Sequence, residues 1–268
     1  FADCRVRIPG ASGNLALEEK LAQRFAASGF ENGAIRFTTP VLQTGKTVLH
    51  FLDNAALPVL PMHPTVTRLG NFREREFTTT LVYIGRCTTA DLERLNGVPL
   101  AGAIGVAEFD CGERWQRWLR FGLRGFVFIG GATHSYPDAV GKIFGTEVSV
   151  PRFYVDAASG EMLRQRCDSP GAVRVTHTPS RWQNQTLRNL WVLVPRNDPE
   201  LQQEVAVVTA PLDSNCIVPE LGEGAQAAAN LSLLLRLLDE FAARPPARPV
   251  LLAAVNAHTQ AFAGERHL

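Results

Sequence analysis

Asp213 and His258 are two residues whose types and places could support chemistry together. Asp213 lies in Thr209-Ala210-Pro211-Leu212-Asp213-Ser214, directly after the apolar run 205–208. His258 lies in Ala257-His258-Thr259-Gln260, directly after a second apolar run, 250–255. A helical stretch over about 223–243 separates the runs, so the order is strand, helix, parallel strand. Such a crossover is nearly always right-handed and puts both post-strand loops on one edge of one sheet. Ligands of open α/β sheets bind along that carboxyl edge. A carboxylate and an imidazole there could hold a metal with a third donor from outside the chain. The plainer expectation makes Asp213 a turn or helix cap and His258 a histidine at a strand end.

The elements that must position these residues are legible as a pattern. Positions 14–28 predict an amphipathic helix, with Leu17, Leu21 and Phe25 at helical spacing, Asn14 as its cap and Gly29 at its end. Strands are expected around 35–37 and 47–51, and the proline-rich piece 57–64 must be extended. From Phe77 a compact α/β unit of four strands is expected, at 81–85, 102–109, 125–131 and 150–155. Helices are expected at 88–96, capped by Thr88 or Thr89, at 113–121, and after Asp156. Trp115 and Trp118 fall on one helical face and are expected to pack rather than to present a ligand platform. Strand-like runs at 172–176 and 187–194 follow, and the bend 195–200 suggests a hairpin from the second run into 205–208.

Composition excludes several classes of function. Hydrophobic residues make up 46% and charged residues 20% of the 268, which suits a packed soluble domain rather than a disordered chain. The formal net charge is +1, from 27 Lys+Arg against 26 Asp+Glu, so nothing calls for nucleic acid or an anionic membrane surface. Lys20, Lys46 and Lys142 are the only lysines, and this excess of Arg, with abundant Ala, points to a GC-rich bacterial genome. Two sequons, at Asn184 and Asn230, are short patterns, the second on a helix expected to be buried. The five cysteines, Cys4, Cys87, Cys111, Cys167 and Cys216, show no metal-ligand spacing. They are expected to be buried thiols, with a disulfide in the middle segment open if the domain is exported. The chain is expected to be a piece of a longer protein whose anchor or export signal lies outside it.

This order of parts resembles the zinc aminopeptidase and glutamate carboxypeptidase clan, with its transferrin-receptor-like and nicastrin-like members. The resemblance spans essentially the whole chain. The runs 81–85, 100–104 and 122–127 are similar to the protease-associated domain inserted in several branches, and 189–194 through 213–214 to the re-entry strands. The implied fold is an α/β peptidase-like mixed sheet flanked by helices, with an inserted smaller α/β domain. The implied pieces are 1–76 for the first part of the peptidase-like domain, 77–170 for the insert, and 171–268 for the truncated continuation.

The resemblance also implies where metal-binding residues would stand, and this chain departs there. Active members carry His-x-Asp after the first core strand; here it is Pro211-Leu212-Asp213, with proline at the ligand position. Their bridging Asp in Gly-Ala-x-Asp-Asn is matched by Ala227 in Gly224-Ala225-Gln226-Ala227-Ala228. Their Glu-Glu pair, base and ligand, is matched by His258 and Thr259, with Phe262 and Gly264 in the downstream Gly-Leu-x-Gly. The remaining family ligands would lie beyond Leu268. A two-metal hydrolytic site needs its terminal ligands, an anionic bridge and a base together. The resemblance therefore implies a degenerate, non-catalytic peptidase fold with no catalytic residue and no cofactor. Its expected role is to bind a protein or peptide outside the cytoplasm, as part of a membrane-associated protein or beside a membrane partner. Two alternatives stand beside it: a zinc exopeptidase with a rearranged site using His258, Asp213 and downstream ligands, and a purely structural domain.

Overall fold

A computed structural model describes residues 4, 6–62, 68–131, 136–143, 148–168, 171–198, 200–201, 204–221 and 224–268. Along the chain the elements are α1 (Ser12–Ala26), β1 (Glu31–Gln43), β2 (Lys46–His50), β3 (Ala56–Pro61), β4 (Glu76–Gly85) and α2 (Thr89–Arg94). They continue as β5 (Ile104–Glu108), β6 (Gly125–Ile129), α3 (Tyr136–Ile143), β7 (Arg152–Val155), α4 (Ala157–Asp168) and β8 (Ala172–Thr178). The last are β9 (Arg181–Val194), β10 (Ala206–Pro211), α5 (Gly224–Ala243) and β11 (Val250–Val255). The chain divides into two compact units: one of residues 1–43 with 182–268, the other of 44–181.

The first unit is a sheet in the order β1-β9-β11-β10, faced by helices. β10 and β11 are parallel, with Ala206 opposite Val250 and Pro211 opposite Val255, and α5 is the crossover between them. β11 runs antiparallel to β9 on its other side. The hairpin expected from 187–194 into 205–208 is thus replaced: β11 lies between β9 and β10. β11 is almost wholly buried, as its unbroken apolar run requires of a central strand covered on both faces. Leu17, Leu21 and Phe25 of α1 and Leu231, Leu234 and Leu238 of α5 share one core with Leu190, Val192, Leu252 and Ala254 of the sheet. Those spacings put one stripe of each helix on alternate strand residues, which is what periods of 3.6 and 2 allow. Asn14 does not cap α1: the N-cap residue is Ala11, with no side-chain bond, and Asn14 lies buried inside the helix. Gly29, with φ of +77°, follows the helix end as expected.

The second unit is a closed barrel of β2-β3-β7-β6-β5-β4-β8. β4, β5, β6 and β7 are parallel neighbours, and β2, β3 and β8 close the ring by antiparallel pairing. The unit therefore begins well before Phe77 and runs past residue 170. β3 alternates exposed and buried positions, so the proline-rich piece is extended as expected, and it serves as a barrel strand. Positions 63–64 of that piece lie outside the described residues. Thr88 caps α2 in a reciprocal box with Asp91. Asp156 Oδ1 accepts from the Ser159 backbone N–H at 2.7 Å and starts α4. The 113–121 segment is a 3-10 helix at 114–121 rather than an α-helix. Trp115 and Trp118 are buried, Trp115 edge-on to Phe126 at 5.1 Å. α3 was not foreseen in the sequence. All five cysteines are free thiols. Asn184 and Asn230 are both exposed, the latter against expectation for α5. No helix among the described residues is long and apolar enough to cross a membrane.

Candidate functional site

Parallel pairing of β10 and β11 brings the two loops that follow them together. The Leu212 N–H donates to Val255 O at 2.7 Å, continuing the ladder one residue past β10. Asp213 is then 2% exposed. Its Oδ1 accepts from the His258 N–H at 2.9 Å. Its Oδ2 accepts from the Thr259 N–H at 2.9 Å and the Thr259 hydroxyl at 2.6 Å. The carboxyl is therefore a clamp on the loop after β11. Burial pushes its pKa up, and the bonds from Thr259 and His258 work against that rise. Arg7 is also buried: burial lowers the pKa of its guanidinium, and the nearby Asp213 carboxyl works against that fall. The Ser214 N–H donates to Arg7 O at 2.9 Å.

His258 turns its ring away from Asp213. Its Nδ1 pairs with Glu265 Oε1, and its ring meets Phe262 edge-on at 4.8 Å. The loop that carries it is tightly wound: Ala257, Ala261 and Phe262 have φ of 55°, 53° and 58°. Left-handed backbone at non-glycine residues costs about 1–2 kcal/mol each, and such outliers gather where a site is shaped. Gly264 closes the loop where any Cβ would meet Asn256 O at 2.0 Å and Asn189 Oδ1 at 2.8 Å.

Beneath the loop lies a buried polar network that sequence reasoning did not find. The Asn256 N–H donates to Asn189 Oδ1 at 3.0 Å, and Asn189 Nδ2 donates to Gly264 O at 2.7 Å. Asn256 Nδ2 donates to Glu18 Oε2 at 3.1 Å and lies 3.2 Å from Asn14 Oδ1, while its Oδ1 accepts from the Ala257 N–H at 2.9 Å. Glu18 is answered by Arg188. An Asn one turn before a Glu, at 14 and 18, was the available signal; both project from one face of α1.

Pro211, Asp213, His258 and Thr259 thus stand together, Pro211 as the last residue of β10. Ala227 falls in the first turn of α5, with its side chain outside the described residues. Glu265 was passed over in the sequence, and its spacing of seven from His258 carried no recognisable pattern. His267 is exposed and stacks on Phe37 at 5.0 Å.

The donors present do not fit a pair of zinc ions. Pro211 brings no side-chain donor, and both Asp213 oxygens are turned to the loop's own N–H and O–H groups. Among the described residues no three of His, Cys, Asp and Glu gather in a geometry that could hold a metal. A two-metal centre needs a fixed set of ligands with an anion between the ions.

No family model and no curated protein matches the chain. Among solved structures, BSAP, a zinc aminopeptidase from Bacillus subtilis, superposes with a TM-score of 0.60 at 16% identity, over 94% of this chain and 57% of that one. A peptidase M28 precursor from Shewanella amazonensis SB2B superposes with a TM-score of 0.51 at 15% identity, over 93% and 60%. The chain spans less than two thirds of the length of either. It has a zinc-aminopeptidase-like α/β fold.

Proposed function

We propose that this aminopeptidase-like fold serves as a non-catalytic binding module for a protein or peptide, outside the cytoplasm, in a larger membrane-associated protein. One observation carries the reading: the buried Asp213 carboxylate is saturated by His258 and Thr259 of the neighbouring loop, beside a proline with no donor. A carboxylate so engaged holds the rim of the sheet in shape. It has lost the freedom to orient a metal ligand. The wound loop 257–264, with exposed Phe262 and half-exposed His258, gives the rim a mixed apolar and polar surface suited to a peptide segment. The barrel unit, on this reading, is the protease-associated-like insert.

A zinc exopeptidase with a rearranged site is the competing reading, and the His258–Glu265 pair favours it. Metal-binding histidines ordinarily give their second ring nitrogen to a carboxylate, as Nδ1 does here. Zinc content and turnover of aminoacyl anilides by the full-length protein separate the two. We expect zinc far below one per chain and no hydrolysis. Stoichiometric zinc with hydrolysis abolished by His258→Ala would defeat the binding-module reading.

A further inference from the structure

Residues 114–121 of the barrel unit carry a period of three that the site above does not use. Arginine stands at 114, 117 and 120, and an aromatic residue at 115, 118 and 121. The segment is a 3-10 helix of 8 residues. The N–H groups of Gln116 and Gly122 bond three residues back, to Glu113 O and Leu119 O, both at 3.1 Å. With three residues per turn, side chains three apart stand one above another, where an α-helix would turn each by about 60° from the last. The two residue types therefore form two columns. Trp115 and Trp118 are buried and anchor the aromatic column to the barrel unit. The three arginines, about 6 Å apart along the helix axis, are exposed.

All three arginines line one cavity of about 310 Å³, shared with residues of α2. Leu92 of α2, Trp118 and half-buried Phe121 give it apolar walls, and Thr89 adds a hydroxyl. No acidic residue lines it among the described residues. The carboxylates nearby in sequence are committed elsewhere. Asp91 Oδ2 accepts from the Thr88 N–H at 2.9 Å and the Thr88 hydroxyl at 2.7 Å, and its Oδ1 lies 3.8 Å from Arg94. Asp110 pairs with Arg86 at 3.0 Å. Arg114 Nε donates to Arg86 O at 3.1 Å, which steadies its guanidinium. Arg117 and Arg120 have no ion-pair or hydrogen-bond partner among the described residues. Three like charges held within two turns repel one another, and an anion in the cavity would offset that.

We propose that this cavity binds a small organic phosphate monoester, its phosphate on the arginine column and its apolar part against Leu92, Trp118 and Phe121. A carboxylate brings one charge and two oxygens, which a single guanidinium fork already matches. Three guanidiniums suit a group with more of both. A phosphate monoester carries a charge of about −1.5 to −2 and three strong acceptor oxygens. The planar guanidinium meets those oxygens in pairs, as a lysine ammonium would not. The inference concerns the barrel unit only and does not rest on the binding-module reading.

Titration calorimetry of the whole chain in phosphate-free, low-salt buffer tests it, with ligand-detected NMR as a second readout. Phenyl phosphate is expected to bind one to one. Phenyl sulfate has the same shape and a single charge, and is expected to bind roughly tenfold more weakly. Inorganic phosphate is expected to compete but to bind more weakly than the ester, for want of an apolar part. Arg117→Gln and Arg120→Gln are each expected to weaken phenyl phosphate about tenfold or more. Both side chains are exposed, so folding is not at stake. Arg36→Gln, at an exposed arginine of the other unit, is expected to change nothing. No binding of phenyl phosphate at millimolar concentration by either readout overturns the proposal. So does equal affinity for phenyl sulfate, or an equal loss in Arg36→Gln, which would mark diffuse charge. Inorganic phosphate binding as tightly as phenyl phosphate would make the free ion the ligand and overturn the assignment to an ester.

Discussion

Asp213 shows how one side chain changes meaning with its partners. A carboxylate at a strand end of an α/β sheet stands where catalytic groups stand, yet here three donors from a single loop take up its oxygens. Asp213→Ala would leave the His258 and Thr259 N–H groups and the Thr259 hydroxyl without their acceptor. We expect a loss of about 2–5 kcal/mol in urea unfolding, at about 1–3 kcal/mol for each buried group left unmade and with water relieving part of it. A loss under about 0.5 kcal/mol would mean that the clamp contributes nothing to stability. The residue types in this clamp could be read from the sequence. Their bonds could not, because the acceptor and its donors lie 45 and 46 positions apart.

At the scale of the element, β2 and β8 show how a strand pair can carry a pH response. Thr47 and His177 are cross-strand partners, joined by Thr47 Oγ1 and His177 Nδ1 at 2.9 Å. His177 Nε2 is buried with no hydrogen-bond partner among the described residues, and Phe72 meets the ring edge-on at 5.4 Å. Burial lowers the His177 pKa below its ordinary value. The unfolded chain therefore takes up the proton first as pH falls through about 6.5, and folding stability is lost on acidification from there down to the lower native pKa. We expect the urea midpoint of the wild type to fall between about pH 7 and pH 5 by more than that of His177→Gln. Equal slopes for the two proteins would remove His177 as the source. The strands themselves were largely legible, because alternation over 47–51 and 172–176 is a local pattern. Their pairing was not, because the partner strand lies over a hundred residues away.

The whole molecule divides where local reading placed no boundary. Proline-rich 57–64 was expected only to be extended, and the compact unit to start at Phe77. The barrel instead takes in β2 and β3 before that point and β8 after residue 170. A barrel lacking three strands leaves β4 and β7 as open edges with unpaired backbone groups. Expressed alone, 44–181 is expected to unfold in one cooperative urea transition, and 77–170 to show none. Cooperative unfolding of the shorter piece would restore the narrower boundary.

Local periodicity determined the crossover of β10, α5 and β11, the face of α1 that is buried, and the caps at Thr88 and Asp156. All of these rest on spacings within a turn or a strand. It also placed Asp213 and His258 at one edge, since right-handed crossover leaves no other arrangement. Tertiary structure alone decided that β11 separates β9 from β10 and that Asn14 and Glu18 join a buried network under the loop. Each depends on which distant segments become neighbours. That is settled by the burial of both faces of a sheet and by the closure of a barrel, neither of which any short stretch of chain encodes.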